Sequence, residues 1–261
     1  MTEKETSRRQ PGGLSLRIDR TVYWFTRHWL AIINAVVAVY VGLPLLAPVM
    51  MQTGATGPAR LIYLAYSPFC HQMASRSFFL FGDQYAYPRD LAGTSLAPFE
   101  AYMSEIPAFA GVSPELEEWV SFLLPARSFV GNQQMGYKTA LCERDMAIYG
   151  FVLIGGLVYG LIRRRHKVKP LPVWAFLVFG LGPIALDGFS QLLSQYGVAL
   201  EPLSFLNAIF PLRESSPFLR TLTGAMLGFS FVWLAYPHVD ISMKESEKSH
   251  LERLEPDSTL Q

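Results

Sequence analysis

Three groups of residues in this chain have side chains that could do chemistry: Cys70-His71-Gln72, the run Cys142-Glu143-Arg144-Asp145, and the pair Asp187 and Gln191. Thiolate and imidazole from Cys70 and His71, thiolate from Cys142, and carboxylate from Asp145 or Asp187 make a donor set for zinc or iron. Cys142 and Asp145 are three residues apart, which on a helix places both on one face. Adjacent Cys70 and His71 are an unusual arrangement and could not both point at one ion from a regular helix without strain. Two cysteines leave other outcomes open: a Cys70–Cys142 disulfide if both lie on an oxidising side, or two buried thiols without a role. Asp187 is equally open, as a ligand, a proton acceptor or the counter-ion of Arg144 or Arg220, since buried charges are normally paired. Gln72, Arg144, Gln191 and Arg220 stand around the set as hydrogen-bonding support. The guanidinium groups of Arg144, Arg213 and Arg220 suit a phosphate or lipid headgroup. They equally suit salt bridges with Glu143, Asp145 and Glu214.

These groups act together only if the chain brings them to one place, and the composition says how. Of 261 residues, 51% are hydrophobic and 16% charged, with a mean hydropathy of +0.23. The apolar residues fall in long runs, which indicates an integral membrane protein. A net charge of +1 leaves no basic field for a nucleic-acid partner. Four runs are long enough to span, at about 29–50, 146–162, 171–193 and 219–236. Arg8, Arg9, Arg17, Arg20 and Arg27 precede the first run, and Arg163 to Lys167 with Lys169 follow the second. The positive-inside rule makes both flanks cytoplasmic, so both termini are cytoplasmic in a cell-membrane protein. Cys70, Cys142, Asp187 and Arg220 then converge at the outer face, where polar side chains in lipid mark a functional site.

The expected fold class is all-α: about four transmembrane helices, an outer half-inserted helix and a small extracytoplasmic insertion. Residues 1–28 form the cytoplasmic N-terminal segment, without the pattern of a cleavable signal peptide. Residues 29–240 form the membrane domain, and 241–261 read as a disordered cytoplasmic tail rich in Lys, Glu and Ser. The stretch 60–81 is the half-inserted helix, because a full crossing would carry the basic 163–169 cluster outside. The insertion covers about 83–133, and Ser113-Pro114-Glu115 within it has the order of a helix start. Gly156-x-x-x-Gly160 and Gly224-x-x-x-Gly228 are helix-packing spacings. Arg76-Ser77-Phe78 with Gly82 and Gln84 is echoed by Arg127-Ser128-Phe129 with Gly131 and Gln133, too short a match for a repeat. Phosphate-loop, His-Glu-x-x-His, Gly-x-Ser-x-Gly and Cys-x-x-Cys signatures are absent from the sequence.

The same residues carry a resemblance. Pro68-Phe69-Cys70-His71-Gln72 comes first, then Arg76-Ser77-Phe78-Phe79 with Gly82 and Gln84. Phe129-Val130-Gly131-Asn132, Met135-Gly136-Tyr137-Lys138, Cys142-Glu143-Arg144-Asp145 and Ile148-Tyr149 follow. Ala185-Leu186-Asp187-Gly188 with Gln191, and Arg220 with Thr223-Gly224, close the series. In this order, from about 67 to 237, the blocks resemble a family of uncharacterised prokaryotic multi-pass membrane proteins, a domain of unknown function. The resemblance implies an outward-facing Cys/His/Asp cluster and no established activity. Members often have Cys-x-Arg-Cys where this chain has Asp145, so an oxygen ligand replaces a thiolate, and 85–126 extends beyond the shortest members.

The leading expectation is a metal- or thiol-dependent site at the outer membrane face, lined by Cys70, His71, Cys142, Asp145 and Asp187, with a lipid or a redox carrier as reactant. The rival is a non-enzymatic scaffold or assembly subunit held by a Cys70–Cys142 disulfide and buried salt bridges. Both place the protein in the bilayer, with a membrane protein or a second copy as partner.

Overall fold

The computed structural model describes residues 13–113 and 119–254. Arg8, Arg9, the Pro114-Glu115 part of the expected helix start and the last residues of the expected tail lie outside these. The described chain is mostly helical, and four helices are long and apolar enough to cross a membrane: α1 (Gly13–Gln52), α4 (Glu143–Ile162), α5 (Val173–Ala199) and α6 (Pro217–Leu254). Their most apolar windows have mean hydropathies of 1.4 to 2.3, yet only 17% to 33% of each window is buried within the protein. Val36, Val39, Leu157, Leu161, Leu186 and Phe189 point outward, as they must where lipid takes the place of a core.

Small residues set the closest helix contact. A Cβ at Gly224 would run into the Arg144 carbonyl, and one at Gly228 into Ile148 backbone, so the expected spacing lets α6 lie directly on the first turns of α4. In α5 the backbone widens to a π-turn over Phe176–Leu181, just before Pro183, which has no N–H for the carbonyl one turn back.

At 40 and 38 residues, α1 and α6 are each about 60 Å long, roughly twice the hydrocarbon thickness. Their excess lengths run together: His250 Nδ1 lies 2.7 Å from Asp19 Oδ1, and Arg253 is 3.7 Å from the same carboxylate. The two ends of the described chain are therefore on one side. Arg163, at the start of the basic loop, joins them by donating to Asp240 at 2.5 Å. Residues 241–254, expected as part of a disordered tail, are helical. Lys244 pairs with Asp240 and Lys248 with Glu252 at one-turn spacing, and the packed Asp19 contact anchors the segment.

At the opposite end, α2 (Thr56–Tyr66) has 11 residues, too few to cross a bilayer. A small subdomain follows with a water-soluble type of core: Phe79, Tyr87, Phe99, Phe109, Phe122 and Met135 pack together. It includes α3 (Trp119–Ser128) and a three-stranded antiparallel sheet, β1 (Phe79–Leu80), β2 (Gly131–Asn132) and β3 (Gly136–Lys138), in the order β1-β3-β2. Phe79 faces Lys138, and Asn132 faces Gly136. The two echoed segments thus feed the two strands that flank β3. Gly136 has φ +73°, and a Cβ there would strike the Leu80 carbonyl, so the crossing requires glycine.

Candidate metal centre

The site is built where the segment after α2 meets the N-terminus of α4. Cys70 still bonds as helix, its N–H donating to the Tyr66 carbonyl at 3.2 Å. Two residues later the chain breaks into the left-handed region at Gln72, φ +52°. This conformation costs a side-chain-bearing residue about 1–2 kcal/mol and persists only where the surroundings hold it. Here they do. Gln72 Nε2 donates to the carbonyls of Tyr63 (2.8 Å) and Ala140 (2.9 Å), and the Gln72 carbonyl accepts from Lys138 Nζ at 2.5 Å. Lys138 is fully buried and also donates to the Arg127 carbonyl at 2.7 Å, while Tyr63 donates its hydroxyl proton to the Lys138 carbonyl. Burial lowers the Lys138 pKa from its ordinary value to about 7.

The turn sends Cys70 inward and leaves His71 exposed. Cys70 Sγ accepts from the backbone N–H groups of Gln72 (3.4 Å) and Cys142 (3.2 Å). Cys142 is the N-cap of α4, and its thiol donates to Asp145 Oδ2 at 3.1 Å, as the three-residue spacing anticipates. The adjoining Cys142 side chain holds the Cys70 thiol below its ordinary pKa, with help from the Gln72 N–H and against burial and the nearby Asp145 charge. Proximity to Cys70, together with burial, pushes Cys142 well up. Both cysteines are free thiols.

The ligand atoms of Cys70, Cys142 and Asp145 all lie within 4.8 Å of one another, a group that could hold a metal ion. A tetrahedral zinc with bonds of about 2.0–2.3 Å sets its donors roughly 3.3–3.8 Å apart, so the three need close in by no more than about 1–1.5 Å. The α4 N-terminus favours negative charge on Cys142 and Asp145. The group borders a cavity of about 340 Å³, on whose wall His71, Gln72, Arg76, Arg144, Gln191 and Arg220 also stand.

Asp187 is engaged elsewhere. Its carboxylate accepts from Arg144 Nη2, from Arg213 Nη2 at 3.0 Å and from Ser215 Oγ at 2.8 Å. Next to it, Arg220 bridges Glu143 (3.3 Å) and Glu214 (2.8 Å), and Arg76 reaches the same Glu214 oxygen at 2.9 Å. Burial alone would raise the Glu214 pKa, but Arg76 and Arg220 outweigh it and hold it below its ordinary value. The structure therefore gathers Cys70, Cys142 and Asp145 into one group, sets His71 at the rim, and makes Gln72 a clamp on the Cys70 turn. Asp187 and Arg220 belong to an adjoining ionic network. Lys138 stands in one of the resemblance blocks but has no role assigned from the sequence, and Ser215 is not singled out by it. A lysine in a three-residue strand and a serine in a loop carry no periodicity that would reveal what they hold.

A family described as predicted membrane protein (DUF2085) matches residues 123–234. An uncharacterised protein of the archaeon Methanocaldococcus jannaschii is 33% identical over 146 residues, covering 54% of this chain and 80% of that relative. The chain belongs to the DUF2085 family. The DUF2085 match takes in Cys142, Asp145, Asp187, Gln191 and Arg220, and Cys70 lies before it. No solved structure matches.

Proposed function

We propose that this DUF2085 protein carries a metal-dependent centre at the outer membrane face. Cys70, Cys142 and Asp145 are its protein ligands, and the fourth position opens to the cavity. The observation that carries the reading is the convergence of three donor atoms, two from one helix terminus and one from a strained turn held by Gln72 and Lys138. Zinc or ferrous iron suits a mixed thiolate and carboxylate set. With three protein ligands and an open position, such an ion supplies Lewis acidity toward the cavity. Asp187 serves as counter-ion to Arg144 and Arg213 and is left out of the ligand set, as is the exposed His71. Orientation follows from charge: the basic 163–169 loop and both chain ends are cytoplasmic, so the centre is extracytoplasmic.

The neighbouring free cysteines also support a second reading, in which they form a disulfide that locks the turn of a scaffold protein. Elemental analysis of detergent-purified protein, with thiol trapping of Cys70 and Cys142, separates the two. The metal reading expects near-stoichiometric zinc or iron, lost in Cys142→Ser and kept in His71→Ala. Metal-free protein whose thiols react only after reduction would sink it and establish the disulfide.

A further inference from the structure

The cavity beside the cysteines has a second polar feature that the ligand set does not use. Gln191, on its wall, is 5% exposed, and its amide is half satisfied. Oε1 accepts from the Ser215 N–H at 3.3 Å, while Nε2 has no acceptor. That bond fixes the amide, since the flipped form would set a donor against a donor. Arg144, on the same wall, gives Nη2 to Asp187, and its buried Nε also has no partner. Both unmatched groups are donors, one of them on a cation, so the chemistry they lack is an oxygen acceptor, best a charged one. Arg76 and Arg220 line the cavity as well, which strengthens the preference for negative charge. At about 340 Å³ the space is at the small end of ligand sites and suits a compact group.

We infer that the cavity binds an oxyanion, a phosphate or carboxylate group, on Gln191 Nε2 and Arg144 Nε. The group sits beside the Cys70/Cys142/Asp145 centre. The inference rests on the metal-centre reading for what the bound group meets there, and it is tested apart from that reading on chelator-stripped protein. The phosphate source is either a small solute or a lipid headgroup, since Phe69, exposed at the rim, offers an apolar surface to an acyl chain.

The experiment titrates full-length, metal-stripped protein in neutral detergent with inorganic phosphate, against chloride at matched ionic strength, and separately with short-chain phosphatidic acid. Calorimetry and thermal unfolding are the readouts. Saturable binding of either phosphate probe is expected, weakened at least tenfold in Gln191→Glu. That variant keeps Oε1 for Ser215 and puts an oxygen where the donor was. Gln191→Met, which lacks both polar atoms, is the second variant should Gln191→Glu fail to accumulate. Binding of inorganic phosphate identifies a small solute as sufficient, and binding of phosphatidic acid alone identifies a lipid headgroup. No response beyond chloride, or equal binding in the variants, overturns the inference. Phosphate binding by protein that holds no metal as purified, before any chelator, would sink the metal centre and leave this site standing.

Discussion

The two ends of the helical bundle both carry ion pairs, but they place them in different solvents. At the end with the basic loop, Asp240 is held by Arg163 and Lys244, whose side chains are 25% and 67% exposed. At the end with the cysteines, Arg220 (3% exposed) lies between Glu143 (0%) and Glu214 (1%). In the first arrangement Asp240 is buried, at 9% side-chain exposure, but its two cations reach solvent and can exchange the carboxylate for water. The second cannot, because each group there was desolvated on the condition that the others are present. Charge at the first end joins helix termini, whereas charge at the second holds the walls of the site. Arg220→Met is the most damaging change, because it leaves the buried Glu143 carboxylate without a partner and Glu214 with Arg76 alone. The expected loss is about 3–5 kcal/mol, enough to abolish accumulation of a marginally stable protein. Membrane-fraction yield and thermal unfolding in detergent measure it. A wild-type yield and midpoint would show that the network is dispensable.

Lys138 sharpens the contrast from the other direction, since it is a buried cation held by carbonyl oxygens at the Gln72 turn. Its folded pKa is lowered to about 7 from an unfolded value near 10.5. Between these values the unfolded chain binds more protons than the folded one, so stability rises as pH rises. Below about pH 7 both states are charged, and the full cost of burying the ammonium is felt. Above about pH 10.5 that cost is gone. The Lys138 contribution to the pH dependence is on the order of a few kcal/mol across this window. The measurable outcome is a difference. The wild-type unfolding midpoint should climb from pH 7 to 10 relative to Lys138→Met. Parallel curves for the two proteins would mean that the carbonyl cage keeps the ammonium charged throughout.

How much of this was legible follows from the range of each interaction. The four spans announce themselves because lipid demands about 20 apolar residues in a row, a signal that needs no knowledge of tertiary contacts. The Cys142/Asp145 pairing is likewise local, fixed by the pitch of one helix turn. The inward turn of Cys70 and outward turn of His71 depend on one left-handed residue, Gln72, held by groups from positions 63, 138 and 140. No spacing rule reaches across such distances. Asp187 finding Arg144 was among the anticipated pairings, whereas Arg213 and Ser215 come from a loop 26 and 28 residues on. The sheet escaped notice because strands of two or three residues have no alternation to read. The helical run to Leu254 was legible in retrospect, since Lys248 and Glu252 are one turn apart.

The ion pairs at the basic-loop end have the least to lose, because their cations already reach solvent. Asp240→Asn removes the carboxylate shared by Arg163 and Lys244, but neither cation is stranded. Lys244 is already in solvent, and Arg163 keeps the Trp29 ring, with its guanidinium carbon 5.5 Å from the centroid. The loss should be about 1 kcal/mol or less, and it should shrink further at high salt as the wild-type pair is screened. Thermal unfolding at low and high ionic strength measures both parts. A loss as large as that of Arg220→Met, insensitive to salt, would show that detergent or lipid seals this end as tightly as protein seals the other.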